Sequence, residues 1–291
     1  MKHTRENKNE IARSMRMLPV ILIVVITFTL GIAAPELWAF GRHHYWPEVG
    51  EFEDAECGFE VNVTDFDTGL FACVDAEGWK SLQIYRMGEN YKDKQLLFST
   101  WAAGNLRHLG ITELCFESSE PEGTFKEILD MFPEGKCKFN GKTVDYNYLK
   151  STDELTHDFA CVPEEILFES NGDEIDVEEE ECVPAGQDLV ISWDAVVSRL
   201  VDLEFDEDGE VIFTCNNDDI EVDGYQVFVE TGEDVEPSQE LSFNPFDDES
   251  PPSVTIPGAF LKAATEYKFE VLVIEESGNK TIREIEFNTC P

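Results

Sequence analysis

The sequence predicts a mainly β protein: an N-terminal export helix followed by two modules built of short strands. Three observations predict it. Apolar side chains alternate with period two in short runs, as in Phe59-Glu-Val61-Asn-Val63 and Tyr267-x-Phe-x-Val271. Gly, Asn and Pro fall between such runs, where tight turns belong. Eight cysteines, an even number, all lie beyond an apolar N-terminal segment.

Residues 1–17 are polar and carry Lys2, Arg5, Lys8, Arg13 and Arg16, and Leu18 to Ala34 is almost unbroken apolar. This is the basic head and apolar body of a secretory signal. Residues 1–39 read as a signal peptide cleaved after Ala39, or as an uncleaved signal anchor, since so short a run sits at the lower edge of what spans a bilayer. Both readings put the remainder outside the cytosol: secreted, periplasmic or at the cell surface. Residues 40–56 read as a tether. His43 and His44 lie there with no third ligand at fixed spacing, and a solvated tail accounts for them.

The formal charge is -41, from 62 acidic and 21 basic residues among 291. Such a chain repels phosphate backbones and anionic membrane surfaces, so nucleic acid is excluded as a partner. Membrane contact is expected only through the N-terminal segment, if it is retained. A hydrophobic content of 42% with 21 Phe excludes a disordered acidic tail.

The first module is expected over 57–162, as a β-sandwich-like unit with one short helix. Strands are expected near 59–63, 70–75, 79–86, 96–101, 111–117 and 136–140. Thr124 caps a helix carrying Phe125, Ile128, Leu129 and Phe132 at helical spacing, and Pro133-Glu-Gly135 stops it. Gly135-Lys-Cys-Lys-Phe-Asn-Gly141-Lys142-Thr143 imitates a phosphate loop, but it has five residues between the glycines and alternates like a strand. Asp65-x-Asp67-x-Gly69 opens like a calcium loop. Gly69 and Ala76 stand where an EF-hand needs oxygen ligands, so a hairpin turn is the plainer account.

Pro163 to Gln187, with its acidic run Glu178 to Glu181, reads as the joint between modules. The second module is expected over 163–291 and holds 36 acidic against five basic side chains. Leu189 to Trp193 and Gly224 to Val229 read as buried strands, and Tyr267 to Phe287 as a hairpin turning at Ser277-Gly278-Asn279. Between Trp193 and Tyr225 lies an acidic insertion, about 194–223, whose own apolar run Val211-Ile-Phe-Thr-Cys215 suits a hairpin.

This second module resembles fibronectin type III domains. The marks are Ser192-Trp193-Asp194, Gly224-Tyr225, Thr265-Glu-Tyr267-x-Phe269-x-Val271 and Gly278-Asn279. The resemblance implies an immunoglobulin-like sandwich with a core tryptophan and a tyrosine that hydrogen-bonds its corner. The first module resembles the partner domain of a group of exported bacterial proteins that end in a fibronectin type III domain. The marks are Thr112-Glu-Leu-Cys-Phe-Glu-Ser, Phe132-Pro-Glu-Gly135, Gly141-Lys-Thr-Val and Leu155-Thr-His157-Asp. That group implies no activity, so no catalytic, cofactor-binding or metal-ligating residue is carried over.

The cysteines have no Cys-x-x-Cys spacing, and export favours structural disulfides. Eight cysteines allow 105 pairings. A hairpin centred on Asp65 would set Cys57 opposite Cys73, and Cys115 and Cys137 lie in two strands of the same module. The type III resemblance implies Cys182 with Cys290 at one pole and Cys161 with Cys215 at the other.

The reading that follows is a non-catalytic extracytoplasmic binding or structural protein. Its partner would be a protein or polysaccharide at the cell exterior, met near Asp202-Leu-Glu-Phe-Asp-Glu-Asp-Gly209. A calcium-dependent adhesion protein is the first alternative, and an accessory module of an exported hydrolase the second. His157 is the one histidine considered as a general base, and a structural strand position suits it better. No cofactor is expected. Asn62-Val-Thr and Asn279-Lys-Thr are glycosylation sequences, relevant only in a eukaryotic host.

Overall fold

The fold rests on two sandwiches that share one β-sheet. The computed structural model describes residues 47–88, 92–119, 123–177, 179, 181–206, 211–232, 240–246 and 252–291. Residues 1–39, read above as an export segment, and the His43–His44 pair lie outside the described residues.

The first sandwich comprises Val49–Gly50 (β1), Asp54–Asn62 (β2), Asp67–Met87 (β3), Lys94–Trp101 (β4), the helical turn Leu106–Leu109 (α1), Ile111–Glu117 (β5), Phe125–Met131 (α2), Gly135–Thr143 (β6) and Tyr148–Leu155 (β7). The expected tether to residue 56 ends earlier than its polarity suggests. Val49 pairs with Tyr148, β2 already begins at Asp54, and Phe52 is buried edge-on to Phe139 at 6.4 Å. Phe52 N–H also donates to Ser151 Oγ at 3.0 Å and Glu53 N–H to the Asp75 carbonyl at 2.8 Å, so an aromatic anchor and backbone bonds together hold the run down.

The two strands expected over 70–75 and 79–86 are one 21-residue strand. It changes partners at Ala76–Gly78. Its first half pairs with β2 and β5, and its second half with β4 and β6. Gly78 turns the corner at φ +58°, and a Cβ on Gly110 would come within 2.5 Å of the Gly78 Cα. Phe59, Trp79, Leu82, Ile84, Phe139 and Leu155 fill the space between the two halves. The helix forms at Thr124 as predicted, with a capping box. Glu127 N–H donates to Thr124 Oγ1 at 3.2 Å, and Thr124 N–H donates to Glu127 Oε2 at 3.0 Å.

The second sandwich comprises Ile166–Ser170 (β8), Asp173–Ile175 (β9), Leu189–Trp193 (β10), Arg199–Phe205 (β11), Val211–Asn216 (β12), Val222–Thr231 (β13), Glu240–Phe246 (β14), Ser253–Ile256 (β15), Glu266–Glu275 (β16) and Lys280–Asn288 (β17). One sheet runs β15-β10-β8-β9, and the facing one β17-β16-β13-β14. With β11 and β12 set aside as an insertion, this is the strand order of a fibronectin type III sandwich. Trp193 packs against Tyr225 at 5.6 Å and Phe269 at 6.3 Å. Tyr267 Oη donates to the Phe260 carbonyl at 2.8 Å and accepts from Lys262 N–H at 2.9 Å, closing the expected corner.

The expected joint, Pro163 to Gln187, is not a linker. It supplies β8 and β9. Phe168 points inward to Phe269 and Phe287, 5.9 and 5.5 Å away. Its outward neighbours are the exposed Leu167 and Glu169, and the apolar outward Leu167 breaks the period-two pattern. The boundary expected at 162/163 falls in a buried run, since Phe159, Ala160, Cys161 and Val162 all belong to a core common to both sandwiches.

The common core follows from one pairing. β17, the last strand of the type III sheet, lies parallel to β2 of the first sandwich, with Lys280↔Glu60, Thr281↔Val61 and Ile282↔Asn62 in register. Val63 N–H donates to the Ile282 carbonyl at 3.0 Å. Asn279, 1% exposed, sits at the head of this ladder. Its Oδ1 accepts from Phe59 N–H at 2.8 Å. Its Nδ2 donates to the Thr156 carbonyl and Oγ1 and to the Asp158 carbonyl at 3.2, 3.0 and 2.8 Å. One amide thus ties β2, the exit of β7 and the β16–β17 turn together. The chain from residue 46 to 291 accordingly forms a single compact unit.

Removing this amide strands a buried N–H and two partly buried carbonyls, each costly without a partner. Asn279→Ala is expected to lower unfolding free energy by about 3 kcal/mol in urea titration. A change below about 0.5 kcal/mol, the size of an ordinary surface substitution, would contradict the account.

Candidate functional site

The inserted strands β11 and β12 form the predicted hairpin, paired from Arg199↔Asn216 to Phe205↔Val211 with a bulge between Leu200 and Asp202. It does not project freely. Leu200 N–H donates to the Phe159 carbonyl at 2.9 Å, and Cys161 N–H donates to the Ser198 carbonyl at 2.8 Å. Arg199 pairs with Asp158 at 2.5 Å. Leu200 and Leu203 are buried in the common core. The hairpin is therefore half wedge and half surface. Asp202, Glu204, Phe205 and Asp206 face solvent, and the Phe205 ring, 54% exposed, lies 4.3 Å from that of Phe66 in the β2–β3 turn. Residues 207–210, including the end of the expected contact run at Gly209, lie outside the described residues.

All eight cysteines are paired. Cys161–Cys215 locks the hairpin to its seat, and Cys182–Cys290 joins the β9–β10 connection to the chain end, with Cα separations of 6.0 and 5.0 Å. In the first sandwich the pairs differ from the hairpin expectation. Cys57 bonds Cys137 and Cys73 bonds Cys115. The cause is one residue of register. The hairpin pairs Cys57 with Ala72 and Glu56 with Cys73, so the two cysteines point to opposite faces of the sheet. Cys73 then lies directly across from Cys115 on β5. Cys57 turns inward and reaches Cys137 of β6.

The other singled-out residues are structural. His157 Nε2 lies 2.9 Å from the Phe132 carbonyl, its ring edge-on to Phe59 at 5.6 Å. Asp65 lies in a turn organised by Asn62, whose Oδ1 accepts the Thr64 and Asp65 N–H groups. The Gly135–Thr143 stretch is β6, paired on both edges. Asn279 has no exposed amide to modify. Among the described residues no group of three or more His, Cys, Asp or Glu side chains is placed to hold a metal.

Carboxylates crowd the shared sheet. The Glu117 carboxyl lies over Gly69, where a Cβ would stand. Burial, then Glu60 and Asp67, push its pKa up to about 7. Burial raises Asp153 and Glu275 as well. Lys268 answers part of this charge. Burial would lower its pKa, but Glu270 and Glu230, at 2.6 and 3.1 Å, more than offset that and raise it. The residue that sequence reasoning missed is Asn279, which reads as an ordinary turn asparagine because its partners are over a hundred residues away.

No known family matches the chain, and no curated protein matches it. No family match thus supports the resemblance of the first sandwich to exported bacterial proteins. Solved structures resemble the chain at low similarity. The chicken CNTN1 FN1-FN3 domains are 14% identical with a TM-score of 0.32, over 84% of this chain and 68% of that one. A bacterial ice-binding adhesin is 11% identical with a TM-score of 0.26, over 81% and 65%. Red sea bream transglutaminase is 9% identical with a TM-score of 0.22, over 81% of this chain and 31% of that one. The chain thus spans about a third to two thirds of their lengths. At these values the likeness carries no functional argument.

Two outcomes follow from the geometry. Mapping of unreduced peptides is expected to show Cys57 joined to Cys137, and a Cys57–Cys73 peptide would contradict the register. A carboxyl whose folded pKa is raised binds more protons folded than unfolded, so stability falls as pH rises from 4.5 through about 7. Glu117→Gln is expected to raise Tm at pH 8 and flatten its dependence over that window. Equal Tm–pH curves for both proteins would contradict it.

Proposed function

We propose that this protein is a stiff, non-catalytic binding or structural element that works outside the cytosol. The observation that carries the reading is the parallel pairing of β17 with β2, continued by Asn279. Modules joined by linkers move relative to one another by default. A shared sheet and a shared core remove that freedom, and Cys161–Cys215 pins the inserted hairpin across the same junction. Such a body suits holding a surface at fixed distance and orientation better than closing over a substrate. The four disulfides support an oxidising compartment, because cytosolic thiols are kept reduced. The apolar run Leu18 to Ala34 behind a basic head supports export. The outward edge of the inserted hairpin, at Asp202 to Asp206, is one surface such an element offers.

The test is the state of the thiols in the producing cell. Denaturing alkylation without reductant is expected to label none of the eight cysteines, and prior reduction to expose all eight. Labelling of most cysteines without reductant would overturn the extracytoplasmic reading.

A further inference from the structure

The outward face of the sheet β4-β3-β6-β7 has the opposite character to the rest of the molecule. Side chains alternate across each strand. Cys137 and Phe139 of β6 are buried, which turns Lys136, Lys138, Asn140 and Lys142 outward, with about 7 Å between Lys136 and Lys138 and about 14 Å between Lys138 and Lys142 along the strand. Lys94 of β4 and Lys150 of β7 lie on the same face, by register with Lys136 through Met87 and with Asn140. Five lysines thus share a face with Glu154, which Lys136 engages at 3.0 Å, while Glu51 and Glu134 lie at its edges beside Lys150 and Lys136. The whole chain carries a charge of -41.

The face also carries aromatic rings. The register Trp101↔Ser81↔Lys142↔Tyr148 sets Trp101 and Tyr148 at its two sides, about 14 Å apart across three strand spacings. Trp101 is 73% exposed, an unusual state for tryptophan in a protein with room in two cores. The next row presents Gln83 beside Asn140. The aromatic rings also hold the cations. Lys94 Nζ lies 3.3 Å from the Tyr85 ring centroid, and Lys142 Nζ lies 5.3 Å from that of Tyr148. Beside Trp101 a cleft of about 390 Å³ opens, with Lys80 and Arg107 in its wall.

We propose that this face binds an acidic polysaccharide, a polymer of uronic acid or a similar carboxylated sugar, laid across the strands. The proposal rests on the reading of the protein as an exported binding element and names its partner. Lysines on three strands of one face, β4, β6 and β7, meet carboxylates repeated along an extended chain. Exposed rings stack on the apolar faces of pyranoses. The amides of Gln83 and Asn140 supply donors and acceptors for sugar hydroxyls. Charge complementarity is local here. At physiological salt, fields are screened beyond about 8 Å, so the face's own sign, not the net charge, decides what settles on it. A flat sheet face suits an extended polymer better than a folded loop or a duplex.

The test is affinity electrophoresis of the full-length protein through gels holding polygalacturonate, dextran or nothing, alongside titration with single-stranded DNA. Retardation by polygalacturonate but not dextran is expected at 0.15 M salt, order-of-magnitude physiological strength. Lys138→Gln with Lys142→Gln and Lys150→Gln should weaken it at least about tenfold, and Trp101→Ala about tenfold. Lys262→Gln, on the other sandwich, should leave it unchanged. Absence of retardation, equal loss with Lys262→Gln, or equal or tighter binding of DNA would each overturn the proposal. Thiol labelling of the same preparation separates this outcome from failure of the underlying reading. Protected cysteines with no binding sink the partner alone.

Discussion

The backbone of an edge strand cannot be left bare, and here that requirement decides the architecture. The last strand of a type III sheet normally presents a row of unpaired N–H and C=O groups, which proteins must cover or blunt. In this chain β2 covers the edge of β17 with a parallel pairing of three residues. So short a ladder would be weak alone. Asn279 extends it by offering Oδ1 to Phe59 and its N–H bonds to the residues after β7. Side chains complete it. Asn62 Nδ2 meets Glu284 at 2.5 Å, and Lys280 meets Glu60 at 3.5 Å.

Much else follows from that junction. With the two sheets continuous, the segment Phe159 to Val162 has no solvent to enter and becomes core. The inserted hairpin then finds a seat against it, where Leu200 and Leu203 complete the packing. α2 closes the same region. Phe125 lies 5.6 Å from Phe159, and Phe132 lies 6.3 Å from Phe59. Arg86, nearly buried, fastens the exit of that helix by donating to the Pro133 and Glu134 carbonyls, while pairing with Asp93 at 2.7 Å. The Cys161–Cys215 bond closes a loop of 54 residues across the junction, which in the chain-entropy model contributes on the order of 4 kcal/mol.

What was legible in the sequence was what depends on near neighbours. Trp193 in its strand, Tyr267 at its corner, the Thr124 cap and the final hairpin all have local signatures, and the structure places them as expected. The inserted hairpin was readable from Val211 to Cys215 for the same reason. Failures came from non-local facts or from a single residue of register. The turn at Val63–Phe66 shifts the β2–β3 pairing by one, and that alone exchanges the partners of Cys57 and Cys73. The β8 strand was hidden because Leu167, apolar yet outward, breaks the alternation around Phe168. Parallel pairing between strands more than 200 residues apart leaves no periodic trace, so Asn279 read as turn chemistry. Asp202, Glu204 and Phe205 are outward, but the insertion carrying them is also a wedge.

The central claim is that the two sandwiches are one mechanical body joined by a hydrogen-bonded junction. Residue-resolved amide hydrogen exchange measures that junction directly. The Phe59 and Val63 amides, bound to Asn279 Oδ1 and the Ile282 carbonyl, are predicted to exchange as slowly as the β16–β17 ladder within the type III sandwich. Both sets should then open only in global unfolding. Exchange of Phe59 and Val63 orders of magnitude faster than that ladder would mean that the sandwiches open independently, and would contradict the account.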